Sequence, residues 1–231
     1  MAQTPNRATR KAPAAAQPKS RTRVLIIDDH PIVRRGLVQT IDPEDDMEVV
    51  DQVESAAAAI DAVQQQAVDV AIVDLTLADA GGTELLKQLR AINEDILMLV
   101  FSMHDELLYA ERALRAGARG YLMKQEGTDL IIDAIRMVLK GEVYLSEQMT
   151  RRMLGRMLGT KQDNGQSPLA ALSDRELEVF EMLGRGHSTR DIAERLCVSV
   201  KTIESHRENI KRKLNLKSSA EMIRVATQWV D

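Results

Sequence analysis

The chain has 231 residues, of which 44% are hydrophobic and 29% charged, and its formal net charge is −4. That composition suits a globular protein with a packed core and room for one large domain or two small ones. No apolar run approaches the ~18–20 residues of a bilayer crossing, so no membrane contact is expected, and a single cysteine, Cys197, excludes an internal disulfide.

Residues 1–22 are rich in Ala, Pro and basic side chains, and residues 1–23 carry six Lys/Arg and no acid. Pro5, Pro13 and Pro18 break any helix, so this segment is expected to be a disordered basic tail. It lacks the apolar stretch of a secretory signal; an organelle transit peptide is the alternative to a solvated arm. From Arg23 short apolar runs alternate with amphipathic segments. Strands are predicted at 24–27, 49–53, 68–73, 96–101 and 120–123, several of them apolar on consecutive positions, as strands buried on both faces are. Helices are predicted at 31–40, 55–66, 82–92, 105–116 and 127–140. Pro31 suits a first helical turn and Ser55 can cap the second helix. Five strands alternating with five helices predict an α/β doubly wound parallel sheet over residues 23–141. Residues 24–150 hold ten Lys/Arg against 24 Asp/Glu, a net of −14, so this block should repel nucleic acid.

Residues 142–168 read as a helical start fading into a polar linker through Gly155, Gly159 and Asp163-Asn-Gly-Gln-Ser-Pro168. A small all-α domain of four short helices is expected over 169–231. Each helix follows a hydroxyl cap: Ser173 with Glu176 in a capping box, Ser188, Ser199, and Ser218 or Ser219. Cys197, within Leu196-Cys197-Val198, is expected to be a small buried hydrophobe in a reducing cytoplasm.

Asp28 and Asp29 follow the first strand and Asp74 the third, and these strands are neighbours in such a sheet. Ligands bind outside the carboxyl ends of its strands. Three carboxylates there repel one another unless a hard cation sits among them, and an oxygen-rich site suits Mg²⁺. Ser102 ends the fourth strand and Lys124 the fifth at the same edge. A metal, a carboxylate nucleophile, a hydroxyl donor and a fixed cation are the requirements of phosphoryl transfer. Each residue alone has a blander explanation as a turn, cap or surface group; five at the ends of four strands do not.

Asp28-Asp29-His30-Pro31, Asp74, Phe101-Ser-Met-His-Asp-Glu106 and Ala116-Gly-Ala-Arg-Gly-Tyr-Leu-Met-Lys124 resemble the receiver domain of two-component response regulators, over about residues 22–141. The resemblance implies that Asp74 is the phosphoacceptor. Asp29, Asp74 and the main-chain carbonyl of Thr76 would ligate Mg²⁺, with Asp28 supporting it through water. Ser102 and Lys124 would hold phosphoryl oxygens, and Tyr121 would turn inward as the hydroxyl moves toward the phosphate. Ala78 and Gln125 stand where many receivers have proline, which implies altered loop rigidity and phosphoryl lifetime.

In the C-terminal third, Thr189–Leu196 is predicted as a short helix, 197–199 as a turn and Val200–Leu214 as a longer helix. Ile203, His206, Ile210 and Leu214 share a core-facing stripe, which makes His206 a packed or phosphate-contacting residue rather than a metal ligand. Leu172-Ser-Asp-Arg-Glu-Leu-Glu-Val179, Gly186-His-Ser-Thr-Arg-Asp-Ile-Ala193, Ser199-Val-Lys-Thr-Ile-Glu-Ser-His206 and Lys213-Leu-Asn-Leu-Lys-Ser-Ser219 resemble the LuxR-type helix-turn-helix. Receiver plus this domain is the arrangement of the NarL/FixJ group. By that resemblance Ser199, Lys201, Thr202 and Arg207 lie at DNA phosphates. Glu204, Ser205 and Glu208 face bases, and Lys211 and Arg212 add to the backbone field. A glutamate accepts from cytosine N4 but is repelled by phosphate; alternatively Glu204 pairs with Arg207, or Glu208 with Lys211 or Arg212, and neither reads a base.

The resemblance implies a cytoplasmic transcription factor, phosphorylated at Asp74 by a sensor histidine kinase, with no turnover beyond its own phosphorylation and dephosphorylation. It would dimerise on promoter DNA through the last helix, 219–230, with the unphosphorylated receiver covering the recognition helix. Two other readings stay open. A phosphatase with Asp74 as nucleophile would need a second acid two residues on, where Thr76 stands, and a protein-interaction module would never bind DNA.

Overall fold

The computed structural model describes residues 21–77, 81–158 and 167–230. Its first half is a five-stranded parallel sheet of β1 (Thr22–Ile27), β2 (Met47–Val53), β3 (Val70–Val73), β4 (Leu97–Ser102) and β5 (Gly120–Met123), in the order β2-β1-β3-β4-β5. Five helices alternate with these strands: α1 (Pro31–Ile41), α2 (Ala56–Gln65), α3 (Gly82–Ile92), α4 (Glu106–Ala116) and α5 (Ile131–Leu139). The order reverses beside β1, which opens a crevice at the carboxyl ends of β1 and β3.

Both sheet faces are apolar, because consecutive rather than alternating residues are buried. Val24, Ile26, Ile72 and Phe101 pack under α1 and α5, while Leu25, Ile27, Val73 and Val100 face α2, α3 and α4. Local chemistry sets the helix starts. Pro31 opens α1, the Ser55 hydroxyl accepts from Ala58 N at 3.2 Å, and Asp105 accepts from Leu107 N at 2.9 Å.

Several boundaries differ from expectation: β2 begins at Met47 rather than 49, and β3 at Val70 rather than 68. β1 begins at Thr22, whose N–H donates to Asp46 O at 2.8 Å, so the ordered backbone reaches into the predicted tail. The helix expected from 127 begins at Ile131; a 3-10 turn spans Lys124–Glu126, and Gly127 sits at φ 84°. The helical start after 145 is a full helix, α6 (Glu147–Met157), capped by the Ser146 hydroxyl on Met149 N at 3.1 Å. The tail to residue 20, Ala78 and the linker 159–166 lie outside the described residues.

The second half is helical: a 3-10 turn at Pro168–Ala171, then α7 (Asp174–Gly184), α8 (Thr189–Arg195), α9 (Val200–Lys213) and α10 (Ser219–Val230). Ser173, Ser188 and Ser199 cap α7, α8 and α9, and the Ser218 hydroxyl accepts from Glu221 N at 3.1 Å at the start of α10. The core of this half is Phe180, Ile192, Ile203, Ile210 and Met222, all fully buried. Cys197 is not in it. The cysteine is exposed, with φ 51°, because it carries the left-handed residue of the turn between α8 and α9.

The halves are packed together. One apolar cluster runs from Val73 and Val100 through Tyr109 on α4 to Leu177 and Phe180 on α7. Arg112 on α4 clamps the contact, donating to Asp174 Oδ1 at 2.7 Å and to Leu172 O at 2.7 Å.

Candidate functional site: an acidic crevice and a helix-turn-helix

The sheet brings Asp28, Asp74, Ser102 and Lys124 together at the ends of β1, β3, β4 and β5. Asp28, Asp74 and Ser102 are buried, and the Lys124 side chain is only 7% exposed. Its Nζ lies 2.7 Å from Asp28 Oδ2 and 2.6 Å from Asp74 Oδ2, so one cation neutralises two carboxylates. Burial pushes the Asp28 carboxyl up from its ordinary value, which Lys124 resists and the nearby Asp74 charge reinforces. Burial pulls Lys124 down, but Asp74 and Asp28 outweigh it and leave the ammonium raised.

Asp28, Asp29, His30 and Asp74 each offer a ligand atom within 4.8 Å of the others. Asp29 Oδ1 is shut off from solvent and accepts no hydrogen bond, although His30 Nδ1 approaches to 2.6 Å. Three carboxylates whose oxygens gather within 4.8 Å of one another fit a hard cation such as Mg²⁺. Thr76 lies at the same edge, its N–H donating to Asp74 Oδ1 at 3.1 Å.

Tyr121 points into the molecule. It is 1% exposed and its hydroxyl donates to His104 O at 3.0 Å. Burial drives its phenol well above the ordinary value, which the neighbouring Ser102 resists. Gln125 lies in the 3-10 turn after Lys124, where Glu126 Oε2 accepts from Met123 N at 3.3 Å.

In the second half, α8 and α9 form the helix-turn-helix. Lys201, Glu204, Ser205, Glu208 and Arg212 of α9 are exposed, and Ser199, its cap, is exposed as well. Thr202 shares a 2.8 Å hydrogen bond with the Ser199 hydroxyl, and Ser205 donates to Lys201 O at 3.0 Å. Arg207 is turned to the Thr189 hydroxyl, tying α9 to α8. Glu208 pairs with Lys211 at 2.7 Å, Arg212 donates to Asn209 Oδ1 at 3.1 Å, and Glu204 forms no ion pair among the described residues. His206 is half-buried on the inner side. Among the described residues nothing of the sheet domain covers this face; that domain packs on α7 through α4, so the expected covering of α9 is not seen here.

Three residues that sequence reasoning passed over connect the edge of the crevice to α7. His104 Nε2 lies 3.2 Å from the Thr76 hydroxyl, and its Nδ1 lies 2.9 Å from Glu181 Oε1 on α7. Tyr109 stacks on the His104 ring and donates to Glu181 Oε2 at 2.9 Å. The visible signal was a carboxylate on the apolar face of α7, four residues after Leu177 and one after Phe180.

Two family models match the chain: "Response regulator receiver domain" over residues 24–136 and "Bacterial regulatory proteins, luxR family" over 170–226. The oxygen regulatory protein NreC of Staphylococcus carnosus is 35% identical over 209 residues, covering 88% of this chain and 96% of that protein. The chain belongs to the response regulators of the NarL/FixJ group. A nitrate/nitrite response regulator homolog of Haemophilus influenzae is 36% identical across 87% of this chain and 93% of its own length. Among solved structures, RcsB of Salmonella enterica bound to promoter P1flhDC with the phosphomimetic BeF3− covers 90% of this response regulator and all of the RcsB chain, with TM-score 0.69 and 24% identity. The protein is therefore a response regulator with a receiver domain and a LuxR-type DNA-binding domain. No helix among its described residues is long and apolar enough to cross a membrane.

Proposed function

We propose that this response regulator is a cytoplasmic transcription factor switched by phosphorylation of Asp74 by a sensor histidine kinase. The observation that carries the reading is the group of Asp28, Asp74, Ser102 and the largely inaccessible Lys124 side chain at four strand ends, with the Asp29 carboxylate beside it. An Asp74 carboxylate oxygen forms the new P–O bond as the donor's N–P bond breaks. Lys124 and the Ser102 hydroxyl hold phosphoryl oxygens, and burial excludes water from the acyl phosphate. Asp28, Asp29, Asp74 and the Thr76 carbonyl would hold Mg²⁺, which supplies positive charge against the incoming phosphoryl group. The added charge draws Ser102 and Tyr121 together and shifts the balance of domain arrangements.

DNA binding rests on α9. Lys201, Thr202 and Ser199 lie at its amino end, where a recognition helix meets the groove and backbone. Lys211 and Arg212 add positive charge at its other end, Arg207 braces it, and Glu204, Ser205 and Glu208 occupy the outward face. Homodimerisation through α10 is compatible with the packing, since Met222 and Ala226 are buried inward while Ile223 is 41% exposed. Incubation with acetyl phosphate and Mg²⁺, followed by intact-mass measurement, tests the acceptor. One phosphoryl adduct in the wild type and none in Asp74→Asn is expected; an adduct retained in the variant contradicts the assignment.

A further inference from the structure

His104 occupies a junction. Its backbone N–H faces Ser102 Oγ at 3.4 Å, and its carbonyl accepts from the Tyr121 hydroxyl at 3.0 Å. Its ring spans from the Thr76 hydroxyl, two residues after Asp74, to the Glu181 carboxylate of the other domain. Both oxygens of Glu181 are engaged by the receiver, one by His104 and one by Tyr109, and Arg185 of α7 adds a 2.8 Å contact to the first. Burial pushes Glu181 upward, yet His104, Arg185 and Tyr109 outweigh it and hold the carboxyl below its ordinary value. His104 and Glu181 are both nearly inaccessible, at 8% exposure each, so their contact is made largely away from solvent.

We infer that Glu181 of the DNA-binding domain is a positioning residue for the phosphorylation site, acting through His104 to favour the arrangement in which Ser102 and Tyr121 face inward. The inference rests on Asp74 being the phosphoacceptor and adds what sets its readiness. Docking on α7 fixes His104, and His104 fixes the segment from Ser102 to Asp105 and receives the Tyr121 hydroxyl. By linkage, a group bound at Asp74 strengthens α4–α7 docking by the same factor that docking strengthens its binding. Because the base-facing side of α9 is open in the docked state, the coupling holds the DNA-binding face free rather than hidden.

Beryllofluoride with Mg²⁺ is titrated calorimetrically against the full chain in four forms: wild type, Glu181→Gln, His104→Gln and the double variant. Thermal unfolding verifies that each is folded. Glu181→Gln is expected to weaken beryllofluoride binding about five-fold or more, within the usual range of coupling between sites. In the His104→Gln background the same change is expected to have no further effect, a non-additivity that general loosening would not produce. Unchanged binding in Glu181→Gln, tighter binding, or simple additivity in the double variant would overturn the inference. Failure of the wild type to bind beryllofluoride would instead strike the phosphoacceptor assignment.

Discussion

Lys124 carries the electrostatics of the crevice. It is the partner that lets Asp28 and Asp74 lie buried side by side, and its raised affinity for its proton keeps it charged through the physiological range. Substituting Lys124→Met leaves two buried carboxylates without their shared cation. Removing one member of a buried ion pair costs about 3–5 kcal/mol, and urea unfolding without Mg²⁺ should show a loss of that order. The acetyl phosphate adduct should disappear as well. On the other domain, Glu204 is exposed on α9 and forms no ion pair among the described residues. Glu204→Ala is expected to raise affinity for random duplex measured at low salt, because a carboxylate there is repelled by the DNA backbone.

At the level of elements, close approaches and caps hold the DNA-binding domain. A Cβ on Gly184 would lie 2.5 Å from Ala226 O, so α7 and α10 cross with no room for a methyl group. Gly184→Ala should destabilise the domain by about 1–3 kcal/mol, the usual cost of overpacking, measurable by chemical denaturation. Glu176 joins α7 to α9: Lys213 Nζ lies 2.6 Å from its Oε2, and it caps Ser173 N at 2.7 Å. Burial pushes Glu176 up, but Lys213 and Ser173 pull harder and leave it below its ordinary value. A depressed carboxyl contributes stability that is complete above the unfolded pKa of about 4.3. That contribution is lost as pH falls through the lower folded value. Acid titration of the domain's melting temperature should therefore show a loss that Glu176→Gln removes.

Most elements were legible because their signals are local. The consecutive apolar runs of β1, β3 and β4, Pro31, and the Ser173–Glu176 capping box each determine structure within a few residues. The carboxylates at the ends of β1 and β3 were legible for the same reason, once the strand order brought them together. Cys197 misled because an apolar neighbourhood in sequence says nothing about a left-handed turn. His104, Tyr109 and Glu181 escaped notice because their roles arise 72 or more residues apart in the chain, or, for His104 and Thr76, 28 residues apart. Hydrophobic period cannot register a pairing at that range.

For the whole molecule, α4 packs on α7, and the proposed coupling between the crevice and the DNA-binding domain runs through that contact. Arg112 is its clearest handle, since it bridges Asp174 and the Leu172 carbonyl across the domain boundary. Arg112→Ala should increase the radius of gyration measured by small-angle scattering and speed proteolysis between the domains, leaving the receiver's own unfolding unchanged.

The most direct test of a phosphorylation-controlled DNA-binding protein is selection of bound duplexes from a random pool, with and without beryllofluoride and Mg²⁺. The account predicts enrichment of an inverted repeat only when the mimic is present. Equal enrichment in both conditions would contradict control by Asp74, and no enrichment in either would contradict DNA recognition by α9.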